Sequence, residues 1–194
     1  MLIIHHRRNT KKLLDKTNYN YGLEIDIRSF KNDLVLSHDP YINGESFDEW
    51  LKYYNHKFLV LNIKEEGLEE KIFSLMHKYN IKDFFVLDQS FPFLIKTINQ
   101  GESRVSIRLS EYESINTLLN LSEKVDWVWV DYFTKFPLDK SQYEILKKGG
   151  FRICIVSPEL QGFPSEELLR LKNFLKYSNI IIDAVCTKYP DLWL

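Results

Sequence analysis

Glycine is scarce in this chain, 7 of 194 residues or under 4%, against a usual frequency of about 7%. No G-x-G-x-x-G, G-x-x-x-x-G-K-[ST] or G-x-S-x-G occurs, so dinucleotide, P-loop and serine-hydrolase chemistries lose their main support. Cysteine is scarcer still. Cys154 and Cys186 are too few for a disulfide framework or a cysteine-rich zinc site, and each sits in an apolar run that predicts a buried thiol. No uncharged apolar stretch approaches the ~18 residues of a membrane span. Leu2-Ile3-Ile4 is far shorter than a signal-peptide core and runs straight into His5-His6-Arg7-Arg8, so the expected location is the cytoplasm. Charge of one sign is also missing. With 26 basic and 27 acidic side chains and a net charge of -1, nothing pulls the chain as a whole toward nucleic acid or anionic membrane.

What remains is ordinary globular composition, 44% hydrophobic and 27% charged, long enough to bury a core and short enough to predict one domain over 1–194. Short runs rich in β-branched and aromatic residues recur at 2–5, 23–27, 58–63, 83–87, 104–109, 127–130, 151–156 and 180–186. Between most of them lie helix-like segments at 46–54, 68–79, 92–99, 114–121, 140–148 and 165–177. Ser46 with Glu49 reads as a capping box. The connection over 8–21 has room for only a turn or two of helix, and 34–37 reads as a hairpin-like excursion after the second strand. Near-continuous apolar strands suit a parallel sheet covered by helices. Eight strands at about 24 residues per unit predict an α/β fold, a compact (β/α)8 TIM barrel below the ~250 residues usual for it. A doubly wound open sheet is the alternative.

Polar residues gather where the apolar runs end. In a barrel, those positions build the functional site. Glu24 and Asp26 are two apart and share one strand face, with Leu23, Ile25 and Ile27 on the other. Two carboxylates in a low-dielectric interior repel unless a cation sits between them, and an all-oxygen pair suits Mg²⁺ or Ca²⁺ better than zinc. The bland alternative pairs Glu24 with Arg28 or Lys64. Asn62 and Lys64 share a face in the same way. Among the other histidines, His5 is expected to point away from the site, and His56 and His77 to be solvent-exposed. Trp127, Trp129 and Tyr132 read as packing residues, with Asp131 between them able to reach the mouth. The basic stretch His5 to Arg8 with Lys11 and Lys12 is too short, and too little supported by net charge, for a nucleic-acid patch.

Taken in order, His6-Arg7, Glu24-x-Asp26 and Ser37-His38-Asp39 resemble the H-R, E-x-D and H-D motifs of the glycerophosphodiester phosphodiesterases, whose barrel is similar to that of the phosphatidylinositol-specific phospholipases C. Asn62-Ile63-Lys64 looks like the family's E-x-K strand, Gln89-Ser90-Phe91 its S-F segment, Gly150-Phe151 its late G-x-x-V stretch, and the run from Asp183 to Asp191 its closing D-x-I-x-T-D-x-P. The chain also departs from the pattern. Arg8 stands where the family has glycine, His6 and Glu24 are only 18 residues apart, and Phe58 begins the next strand 19 residues after Asp39, so the usual insertion is missing. Asn62 occupies the place of a third metal-binding carboxylate, which is expected to weaken or retune the metal site, and Lys188 replaces an aspartate.

The resemblance implies a phosphoric diester hydrolase acting on a small-molecule or polymer-linked phosphodiester, with Mg²⁺ or Ca²⁺ held by Glu24, Asp26 and Asn62. It makes Arg7 and Lys64 the clamp on the phosphate, and His6 and His38 the general acid and base. Two other readings stay open: a non-catalytic phosphate-ligand binding protein on a decayed scaffold, and a lyase or aldolase using Lys64 as a Schiff-base amine.

Overall fold

A computed structural model describes all 194 residues, which group into two compact units, Ile4–Gly101 and Met1–Ile3 with Glu102–Leu194. The first unit opens with Ile4 and His5, the end of β1 (Leu2–His5), followed by α1 (Lys11–Asp15), a single turn capped by the Thr10 hydroxyl. β2 (Gly22–Phe30) then runs parallel to β1 and to β5 (Phe58–Ile63), and β5 runs parallel to β6 (Phe84–Leu87). β2 outlasts its predicted end. Its last residues turn back antiparallel onto β3 (Asp33–Leu36), which pairs with the two-residue β4 (Glu45–Ser46). This is the expected excursion, and the segment from Ser37 to Gly44 connects its two strands β3 and β4. The helices α2 (Phe47–Leu51), α3 (Glu69–Lys78) and α4 (Phe91–Asn99) bury Phe47, Trp50, Ile72, Met76 and Leu94.

Gly44 sits where a side chain cannot. A Cβ there would run into the backbone carbonyl of Leu36. Gly44→Ala is therefore expected to cost about 1–3 kcal/mol and to loosen the loop bearing His38, read as a lower urea midpoint.

Two local expectations fail in this unit. Ser46 does cap α2, accepting from the Glu49 amide at 3.4 Å, but the Glu49 carboxylate turns to Lys52 instead, so no reciprocal capping box forms. His56 is buried rather than exposed. Its Nε2 meets the Thr17 carbonyl at 3.0 Å, and the Tyr19 and Tyr54 rings close over it. Burial pushes the imidazole below its ordinary 6.5. The unfolded chain then binds a proton that the folded chain refuses, so stability is complete above that value and is lost as pH falls. Replacing His56 with Gln should move the acid unfolding midpoint downward.

The second unit is a run of parallel strands, β7 (Ser106–Leu109), β8 (Trp127–Val130), β9 (Arg152–Val156) and β10 (Ala184–Thr187), each pairing with the next. Leu2 donates its amide to the Asp183 carbonyl beside β10. The last strand starts later than its apolar run suggested, because residues 180–183 form the approach to it. The helices are α5 (Ile115–Leu119), α6 (Lys140–Lys148) and α7 (Ser165–Tyr177), with single 3₁₀ turns at Pro158–Gln161 and Pro190–Trp193. A true capping box opens α6, where Asp139 and Gln142 exchange side-chain and backbone bonds. Trp127, Trp129 and Tyr132 are core residues, as expected. Both cysteines are buried, and burial raises the Cys154 thiol well above its ordinary value. No helix is long and apolar enough to cross a membrane.

Candidate functional site

The first unit places most of the sequence-predicted site residues in one connected cluster. Glu24 and Asp26 project from the same face of β2, each only 1% exposed. The register sets Asp26 abreast of Asn62 on β5. Asn62 leans toward Glu24 and donates Nδ2 to its Oε1 at 2.8 Å. The other Glu24 oxygen accepts the backbone N–H of Arg7 at 2.8 Å and lies 3.7 Å from His6 Nε2. Arg7 adopts a left-handed backbone, φ 51°, costly for any residue but glycine, and here it aims that N–H into the cluster. Its side chain reaches to 3.7 Å from Asp26 Oδ2, while Lys64 Nζ lies 3.3 Å from Asp26 Oδ1. Lysine 64 thus pairs with Asp26, and Arg28 with Glu65. Neither forms an ion pair with Glu24, although the Lys64 charge acts on it through space.

Asn9 escaped the sequence reading. It clasps Asp26 from both sides, donating Nδ2 to Oδ2 and accepting the Asp26 amide on Oδ1, each at 2.8 Å. Nothing in a lone Asn after an Arg pair signals this role, which depends on the tight turn from β1 into α1. Asp88, the residue that follows β6, lies 3.5 Å from Lys64 Nζ.

His38 stands one link away. Its neighbour Ser37 donates its amide to the Asp26 carbonyl at 3.1 Å, and Arg28 Nε holds the His38 carbonyl at 3.0 Å. The imidazole is 42% exposed and Nδ1 meets Asp39 at 2.8 Å, an arrangement that fixes the ring and turns Nε2 outward. That bond, ahead of the nearby Arg7 and Arg28 charges, holds the Asp39 carboxyl below its usual value.

The electrostatics ask for a positive charge. Burial, and then the adjacent Asp26, push Glu24 up from 4.5 to about 7. No group of three or more His, Cys, Asp or Glu side chains is placed to hold a metal. The donors offered are two carboxylates and an amide, all hard oxygen. Asp26 Oδ1 and Asn62 Oδ1 are buried without a hydrogen-bond partner, and half a turn of the amide would bring the latter toward Glu24. The set therefore fits a hard divalent cation, with weaker charge than three carboxylates would give.

In the second unit, polar residues also collect where strands end. Asp131 is buried against Arg108 and Gln161. Glu159 gathers the Ser157 and Thr187 hydroxyls and the Lys188 amide, and Trp193 donates Nε1 to Ser157 at 2.9 Å. Lys188 thus contributes a backbone donor where the motif has an acidic side chain.

No protein-family model matches the chain, and no curated protein matches it. Solved structures do. A candidate glycerophosphodiester phosphodiesterase from Galdieria sulphuraria superimposes with a TM-score of 0.74 at 17% identity, over 99% of this chain and 96% of that one. The glycerophosphodiester phosphodiesterase of Agrobacterium tumefaciens gives 0.66 at 14% identity, over 99% and 98%. A glycerophosphoryl diester phosphodiesterase from Parabacteroides distasonis gives 0.69 at 12% identity, over 98% and 84%. At such identities the likeness is one of fold. The chain has the (β/α)8 architecture of these proteins, as the strand count predicted, and not that of a doubly wound sheet.

Proposed function

We propose that this chain is a metal-dependent phosphodiesterase whose machinery is His6, Arg7, Glu24, Asp26, His38, Asn62 and Lys64. The observation that carries the reading is the buried carboxylate pair ringed by Arg7, Lys64 and His6, on a fold shared with phosphodiesterases. A divalent cation held by Glu24, Asp26 and Asn62 would polarise a non-bridging phosphate oxygen and acidify the attacking hydroxyl. Arg7 and Lys64 neutralise the remaining phosphate oxygens, Arg7 as a fork and Lys64 as a point charge. One imidazole of His6 and His38 takes the proton of the attacking water or substrate hydroxyl as its oxygen bonds to phosphorus. The other gives its proton to the leaving alkoxide as the second P–O bond breaks. Asp39 holds the His38 ring for that exchange.

The test is hydrolysis of an aryl phosphodiester and a panel of glycerophosphodiesters with and without chelator. Loss of turnover on chelation, restored by Mg²⁺ or Ca²⁺, is the expected result. Turnover indifferent to chelator overturns the metal reading. The replacement of an acidic ligand by Asn62, already bonded to Glu24, favours one competing reading, a phosphate-binding protein without turnover. Tight binding of a phosphorylated ligand with no hydrolysis under any divalent metal would select it.

A further inference from the structure

We propose that Asp88 is a positioning residue, the carboxylate that draws the Lys64 ammonium off Asp26 when a divalent cation binds; this rests on the metal-dependent reading above. Lys64 Nζ is shared, 3.3 Å from Asp26 Oδ1 and 3.5 Å from Asp88 Oδ2. The Asp26 oxygen it faces is the buried one with no hydrogen bond, which a cation would need. Two positive charges pressed on one oxygen repel strongly in so dry a place, so the lysine must yield or the cation is refused.

The geometry provides a place for it to go. Asn62 on β5 lies abreast of Leu87 on β6, so Asp88 sits one residue beyond that pair and Lys64 two residues beyond Asn62. Asp88 takes a left-handed backbone, φ 63°, a conformation aspartate tolerates better than most residues but still at a cost. Its side chain is 25% exposed against 1% for Asp26. An ammonium on a four-carbon stem swings readily between the two, and it gives up less water beside the more exposed partner. Asp88 thereby moves Lys64 toward the open side, where a phosphate would meet it.

The experiment is calorimetric titration of the whole chain with Mg²⁺ and with Ca²⁺, for the wild type, Asp88→Asn, Lys64→Met and the double variant. Asparagine keeps the shape and suits the left-handed backbone while removing the charge. Asp88→Asn is expected to weaken cation binding on the order of tenfold, and Lys64→Met to tighten it. In the Lys64→Met background, Asp88→Asn should change binding by less than about twofold. Equal losses in both backgrounds would reduce Asp88 to a through-space charge and overturn the proposal, as would no loss from Asp88→Asn alone. A wild type that binds neither cation would instead sink the metal reading, and this inference with it.

Discussion

Alanine in place of His38 is expected to lower phosphodiester hydrolysis by roughly 10²- to 10⁴-fold while leaving the unfolding midpoint almost unchanged. The imidazole is 42% exposed and bonded to its neighbour's carboxylate, so its removal opens no cavity. The loop stays anchored through backbone atoms, Ser37 N–H on Asp26 and the His38 carbonyl on Arg28. Comparing an aryl with an alkyl phosphodiester then divides the two histidines. An aryloxide leaves without help while an alkoxide does not, so loss of the general acid should hurt the alkyl substrate more, whereas loss of the base should hurt both alike. His6→Ala should show the complementary pattern. If His38→Ala retains more than about a third of wild-type activity on both substrates, proton transfer by His38 is refuted.

Without divalent cation, the protein is expected to lose about 3 kcal/mol of stability as pH rises across the Glu24 range. In the fold, burial and Asp26 hold that carboxyl at about 7 instead of 4.5. Between those values the folded chain keeps a proton that the unfolded chain has released. The contribution is therefore whole below 4.5 and gone once pH passes about 7. His56, held below its ordinary value, slopes the other way below 6.5, so the informative curve is the difference between wild type and Glu24→Gln. The glutamine variant has nothing to titrate there, and Asn62 can turn its unpartnered oxygen to the new amide. Excess Mg²⁺ should flatten the wild-type decline, because a bound cation stabilises the ionised form. Urea midpoints in chelator that stay level across this range for the wild type would show that Glu24 ionises freely in the fold.

The eight barrel strands were legible because a strand buried on both faces must be apolar almost throughout, and runs such as Phe58–Ile63 admit little else. Residues 180–183 misled because Ile180 and Ile182 are buried on the approach to the strand while Ile181 is exposed, and apolarity alone does not mark where pairing begins. The Ser46 capping box failed for a local reason: Glu49 has a lysine three residues on and takes it. Asp139 and Gln142, with no such competitor, form the box that was not predicted. His56 carries no sequence sign of burial, since its two aromatic covers come from different segments. Within the site, alternation alone put Glu24 with Asp26 and Asn62 with Lys64. Which partner each would take depends on register between β2 and β5, and that was hidden. The reach of Asn9 was hidden too, because it follows from a backbone turn and not from residue type.

β2 carries both carboxylates in its first half and the His38 hairpin in its second. Alternation makes that strand unforgiving in a particular way. Deleting Leu23 would exchange the acidic face for Ile25 and Ile27 and swing the hairpin to the wrong side, whereas point changes there act one side chain at a time. In a deep scan of the chain, β2 should stand out as the stretch where single-codon deletions are uniformly lethal even at positions that accept several substitutions.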